Sequence, residues 1–182
     1  MNREIELKFR VSNERDFITV LSKKGILLSS PITQVDTIFF RKGKGFPDLL
    51  NGEPVLRIRQ NSGVTTTTLK KYVKGIYDRK EIECQVSDGI AFQEYLELLD
   101  IFPVVVVSKT RRNANYKETT ITLDNVRDLG VFTEIEIVSD DNNVEQSMYK
   151  INKIAEELNL NLKNIVKTPY DEMLFQKRRY KI

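Results

Sequence analysis

The 182-residue chain contains no histidine, no tryptophan and a single cysteine, Cys84. Without histidine it cannot build a Ser-His-Asp triad, a Cys-His dyad, an HExxH site or a His-containing zinc finger. One cysteine excludes an internal disulfide and any four-cysteine metal site, and points to a reducing cytosol. Long apolar runs are also missing. Val104–Val107, preceded by Ile101-Phe102-Pro103, is strand-sized, where a bilayer span needs about 20 residues. The opening MNREIELKFRV alternates acidic and apolar residues, unlike the continuous core of a signal peptide. Charge excess is small: 29 Lys and Arg against 26 Asp and Glu give +3. That balance does not imply nucleic-acid binding. The basic cluster Arg41–Lys44 and the KRRYKI ending read as solvated faces or as guides for an anionic substrate. What is present is 40% apolar residues, with nine Phe and seven Tyr, enough for a real core. The length fits one domain, residues 1–182, in a soluble, cytoplasmic protein.

Strand signals dominate. Residues 3–11 alternate strictly, with Ile5, Leu7 and Phe9 on one side and Glu4, Glu6 and Lys8 on the other. Asn13 followed by Asp16 resembles a helix capping box, and the stripe Phe17, Ile18, Val20, Leu21 ends at Gly25. Further strands are expected at 34–40, 56–59, 65–73, 79–86, 104–112, 116–124 and 131–138. Residues 41–54 form a loop, and turns fall near Gly75, at Asn113–Asn115 and at Asp124–Gly130. Ser87 or Asp88 caps a helix over 89–99, a longer helix starts near Asn143, and Thr168-Pro169 opens a short last one carrying Tyr170 and Leu174.

The polar faces of these strands are sorted by sign. Glu4/Glu6/Lys8, Arg57/Arg59, Glu81/Glu83, Lys109/Arg111 and Glu134/Glu136 are each spaced by two, so each set projects from one side of its strand. Any one pair suits a solvated face with cross-strand salt bridges. Five pairs point to something else. If helices cover every opposite face, the charged faces meet on the inner side of a curved antiparallel sheet, a closed or nearly closed barrel. Charges held there need opposite charges, a metal or a bound anion. Lys and Arg clamp phosphoryl oxygens, while carboxylates hold a hard divalent cation. Asp124 shares the parity of Thr120 and Thr122 and joins the set. Cys84 shares parity with Ile82 and Val86 and reads as a small buried hydrophobe under a helix.

Glu4-Ile5-Glu6-Leu7-Lys8 forms an ExExK pattern. It is followed in order by Asp36-Thr-Ile-Phe-Phe, Leu56-Arg57-Ile58-Arg59, Leu69-Lys70, Arg79-Lys80-Glu81-Ile82-Glu83, Lys109-Thr-Arg111, Ile121-Thr-Leu-Asp124, Leu129-Gly130-Val-Phe-Thr-Glu134-Ile-Glu136 and Tyr170-Asp-Glu-Met-Leu174. From residue 3 to about 175 this series resembles the CYTH domains, or triphosphate tunnel metalloenzymes, and is most similar to the CyaB-like branch. The family includes class IV adenylate cyclases, thiamine and inorganic triphosphatases, and fungal-type RNA triphosphatases. The resemblance implies an α+β fold: an eight-stranded antiparallel β-barrel, the triphosphate tunnel, with helices packed outside. It implies Mg²⁺ or Mn²⁺ on Glu4, Glu6, Glu134 and Glu136. The phosphates fall to Lys8, Arg57, Arg59, Lys70, Lys109 and Arg111, with Lys70 preferred to Lys71 by the family pattern and by the parity of Thr66 and Thr68. Lys8, Glu81, Glu83 and Asp124 are the expected catalytic or lining groups.

The expected partner is a triphosphate-containing small molecule, in a monomer or homodimer without membrane or nucleic acid. A metal-dependent triphosphatase acting on inorganic triphosphate, with nucleoside or thiamine triphosphates as further candidate substrates, ranks first because it asks only for the phosphate grip and the metal. A class IV cyclase making cyclic AMP and pyrophosphate from ATP needs an adenine pocket in addition; Thr65–Thr68 could bond a base, though such a run also simply favours strand. A non-catalytic polyphosphate- or nucleotide-binding module is the third reading.

Overall fold

The two-residue alternation at the start of the chain becomes strand β1 (Arg3–Val11), and Asn13 caps helix α1 (Glu14–Lys23) by accepting hydrogen bonds from the backbone N–H groups of Arg15 and Asp16. A computed structural model describes residues 3–72, 79–139 and 144–179, excluding the side chains of Arg3, Glu4, Leu50, Tyr72, Arg79, Ser139 and Arg179. The expected turn near Gly75 and the end of the KRRYKI tail lie outside the described residues. The remaining elements are β2 (Ile32–Arg41), a 3-10 turn at Phe46–Asn51, β3 (Val55–Asn61), β4 (Val64–Tyr72), β5 (Arg79–Val86), α2 (Gly89–Leu98), β6 (Ile101–Tyr116), β7 (Thr119–Val126), β8 (Gly130–Ser139), α3 (Val144–Glu157), a 3-10 turn at Leu162–Asn164 and α4 (Tyr170–Arg179).

The fold is α+β, with eight strands hydrogen-bonded in the order β1-β8-β7-β6-β2-β3-β4-β5. The β1–β8, β7–β8, β2–β3, β3–β4 and β4–β5 ladders are antiparallel. This is the class and strand number that the resemblance implies. The order has two ends, β1 and β5, so among the described residues no hydrogen-bonded ladder closes the expected barrel. No described helix is long and apolar enough to cross a membrane. By internal contacts the chain divides into two units, Met1–Ile32 with Thr110–Pro169, and Thr33–Lys109 with Tyr170–Ile182.

In the first unit the odd-numbered side of β1 (Ile5, Phe9, Val11) packs with Ile121, Leu123, Ile135 and Ile137 from β7 and β8. Phe17 and Leu21 of α1, and Ile151, Ile154 and Ala155 of α3, cover them. Each such aliphatic or aromatic side chain contributes roughly 1.5–3 kcal/mol on burial, so this layer fixes which side of each strand carries charge. In the second unit Phe39, Ile58 and Leu96 form a smaller core, flanked by Leu56, Phe92 and Ile101. A two-residue hairpin at Ser62 and Gly63, with φ of 48° and 85°, sets the β3–β4 register.

Three local expectations change. Asn113–Asn115 is not a turn; β6 continues through it, and Asn113 exchanges hydrogen bonds with Ser29 (Ser29 N–H to its carbonyl at 2.7 Å, its own N–H to Ser29 Oγ at 3.0 Å). The reversal comes at Lys117, where φ is 53°. The 41–54 loop contains the Phe46–Asn51 3-10 turn, opened by Pro47 and by Asp48 accepting from Gly45 N–H. Cys84 is exposed, not buried: β5 is the last strand of the order, and the buried contacts of α2 reach Phe39 and Ile58 on β2 and β3.

Candidate functional site

The cross-strand register assembles the charged side of the first unit. Glu6 lies opposite Glu136 and Lys8 opposite Glu134, while Thr120 and Thr122 on β7 face Glu136 and Glu134. All project away from the Ile5–Ile135 core because side chains alternate along a strand. Lys8 is buried at 7% exposure, and its own backbone carbonyl accepts from Val166 N–H. Arg111 reaches this face from β6. Its Nε and Nη2 donate to the two oxygens of Asp124 at 2.7 and 2.5 Å, and Nη2 also donates to Glu134 Oε2 at 2.7 Å. Asp124 is wholly buried, so this fork supplies the hydrogen bonds that a desolvated carboxylate requires. Thr122 Oγ1 donates to the same Glu134 oxygen at 3.4 Å, and Thr133 Oγ1 holds the Thr122 carbonyl at 2.7 Å. Asp124, expected among the catalytic groups, therefore has both oxygens engaged in holding Arg111.

Like charges directly opposite one another destabilise a ladder unless cations offset them. The Glu6–Glu136 pair, with Glu134 two residues along the same side of β8, is thus an oxygen-only donor set of the kind that suits a hard divalent cation. Among the described residues no three carboxylates already stand together at metal-holding spacing. The side chain of Glu4, the fourth expected ligand, lies outside the described residues.

The second unit carries the larger share of cation. Arg59 Nε and Nη2 donate to the two Asp36 oxygens, both at 2.7 Å. Burial would raise the pKa of Asp36, but the Arg59 hydrogen bonds and the charges of Arg59, Lys109 and Arg57 overcome it and hold the carboxyl below its ordinary range. Asp36 was not among the expected site residues. Its parity matches the buried Ile38 and Phe40, so alternation along β2 hides it, and only the Asp36–Arg59 register reveals the pair. The available signal was an aspartate in the middle of a β-branched and aromatic strand.

Arg57 sits two residues away on the same side of β3. Its Nη2 donates to Thr68 Oγ1 at 3.0 Å; Thr68 in turn donates to Glu83 Oε2 at 2.9 Å, which lies 3.8 Å from the guanidinium. Arg57 Nε is buried and has no hydrogen-bond partner in the described structure. Burial, then the charge of Arg59, push the Arg57 pKa below its ordinary value against the pull of Asp36, Glu81 and Glu83. This cation is only partly compensated. Lys70 donates to Glu81 at 3.0 Å, whereas Lys71 lies opposite Lys80 and is exposed, so Lys70 belongs to the charged side. Lys109 is buried at 5% exposure, its Nζ 5.3 Å from the centre of the Tyr170 ring.

The CYTH domain family model matches residues 2–170. Over 173 residues the chain is 26% identical to the Methanocaldococcus jannaschii protein MJ0240, provisionally named an adenylate cyclase, covering 93% of this chain and 97% of that one. Among solved structures, the PH1819 protein of Pyrococcus horikoshii is 25% identical, with a TM-score of 0.80 and coverage of 96% and 99%. A Hippeastrum protein named as an adenylyl cyclase, and described as having a dominant triphosphatase activity, shares the fold at a TM-score of 0.69 and 16% identity, covering 98% of this chain and 96% of its own. The ordered charged strands, their register and the match over residues 2–170 lead to one assignment: the chain belongs to the CYTH domain family.

Proposed function

We propose that the protein is a divalent-metal-dependent triphosphatase that hydrolyses the terminal phosphate of inorganic triphosphate, with nucleoside or thiamine triphosphates as further substrates. The observation that carries this reading is Arg57: a half-buried guanidinium beside Arg59, with a buried, unpartnered Nε and a depressed pKa, is a cation for which an arriving phosphoryl group supplies the missing acceptor. Arg59, Lys70, Lys109, Lys8 and Arg111 extend the same chemistry along their strands.

Phosphoryl transfer is chiefly a matter of positioning and charge neutralisation. Water attacks the terminal phosphorus in line, the bridging P–O bond breaks, and orthophosphate and pyrophosphate leave. Arg57, Arg59 and Lys109 offset the charge that spreads over the phosphoryl oxygens, while Asp36 fixes the plane of Arg59; in the first unit Asp124 does the same for Arg111. Glu83 is exposed and bonded to a hydroxyl rather than locked by a guanidinium fork, which suits it to orient the water and accept its proton. Glu4, Glu6, Glu134 and Glu136 are the residues that would hold Mg²⁺ or Mn²⁺, and the ion would supply Lewis-acid polarisation of a phosphoryl oxygen.

The cyclase name of the Methanocaldococcus relative favours a second reading, in which the ribose 3′-hydroxyl attacks the α-phosphorus of ATP. Incubating the Mg²⁺- or Mn²⁺-loaded protein separately with triphosphate, ATP and thiamine triphosphate, and separating the products by chromatography, decides between the two. Phosphate release from inorganic triphosphate, abolished by EDTA, is expected. Cyclic AMP formation with little phosphate released would establish the cyclase instead, and binding without turnover would establish a sensor.

A further inference from the structure

Tyr170 opens α4 after Pro169 and is buried at 8% exposure, though it lies on none of the charged strands. Its ring meets the Lys109 ammonium at 5.3 Å, within the range of a cation–π contact. Lys109 is itself buried, and its charge is one of those acting on Asp36. A second tether holds α4 in place: the Phe175 ring packs on Phe46 at 5.1 Å, and Phe46 packs edge-on against Phe40 at 5.1 Å. Phe40 lies on β2, four residues from Asp36 and on the same side of the strand. One end of α4 therefore bears on Lys109, and its body is pinned to the strand that carries Asp36.

We infer that Tyr170 is a positioning residue for phosphate binding: its ring face fixes the Lys109 ammonium toward the Asp36–Arg59 cluster, so that α4 tunes the grip on the triphosphate. The inference rests on the phosphate-binding reading above. A lysine has a long, flexible stem, and holding its head in one place reduces the ordering cost of binding. A phenyl ring does the same job, because the contact uses the ring face and not the hydroxyl.

The test is a double-mutant cycle read by calorimetric binding of inorganic triphosphate in EDTA, which needs no turnover. Tyr170→Phe should bind within about twofold of the wild type, and Tyr170→Leu about three- to tenfold more weakly, as expected from the strength of such contacts. In a Lys109→Met background the same Tyr170→Leu change should have no further effect, because Tyr170 acts through Lys109. Equal losses in both backgrounds would mean a purely structural role and would overturn the inference. Tyr170→Met replaces the leucine variant if circular dichroism shows the latter to be unfolded. A wild-type protein that does not bind triphosphate would overturn the phosphate-binding reading itself, and this inference with it; binding without coupling would overturn the inference alone.

Discussion

Replacing Asp36 by Asn isolates the contribution of one ion pair. The two 2.7 Å bonds to Arg59 are made by a carboxylate that is 6% exposed. Removing one partner of a buried pair costs about 3–5 kcal/mol, because the other charge stays behind. The Arg59 side chain keeps 21% of its surface in solvent, which lowers the expected loss to roughly 2–4 kcal/mol. For a chain of this length that is a fall in Tm of about 5–12 °C, measurable by circular dichroism or calorimetry. The sign of the pH dependence follows from the depressed pKa. The stabilisation is fully present above the ordinary carboxyl value of 3.8 and is lost as pH falls through the lower folded-state value. The Tm gap between wild type and variant should hold steady from pH 7 to 5 and close below about pH 4. Because the variant removes the Asp36 charge beside Arg59, triphosphate added in EDTA should raise the Tm of the variant more than that of the wild type. A variant that melts with the wild type at neutral pH, or gains less from triphosphate, would refute the reasoning.

Arg57 should behave in the opposite way. Arg57→Gln removes a desolvated, partly compensated cation, so its Tm should stay level or rise while triphosphate affinity drops by at least tenfold; a large Tm loss with unchanged affinity would contradict the role given to it. Glu6→Gln and Glu136→Gln should remain folded, since they relieve a like-charge pair, yet lose Mg²⁺- or Mn²⁺-dependent turnover; full activity in either variant, or of the wild type in EDTA, would remove the metal from the account. Cys84 should react completely with a thiol reagent in the native protein within minutes, and protection until unfolding would show that β5 is covered.

Period-two alternation carried most of the fold and many of the charged groups, because one buried layer fixes the parity of a whole strand. Glu6 and Lys8, Arg57 and Arg59, and Lys109 and Arg111 could be paired on paper for that reason. Parity failed where both sides of a strand share one character. Asp36 lies in line with Ile38 and Phe40, and the exposed Cys84 lies in line with Ile82 on the last strand, where neither side is buried. Thr68 posed a different problem. A threonine run favours strand whatever it touches, and its place between Arg57 and Glu83 depends on a β3–β4–β5 register that composition does not encode. Whether the first strand pairs with the last was equally out of reach, because alternation describes single strands.

The most direct measurement follows inorganic triphosphate by ³¹P NMR in ¹⁸O-enriched water with the Mg²⁺-loaded protein. The triphosphatase account predicts equimolar pyrophosphate and orthophosphate, the isotope entering orthophosphate alone because water attacks the terminal phosphorus. Intact triphosphate beside ATP converted to cyclic AMP would contradict it.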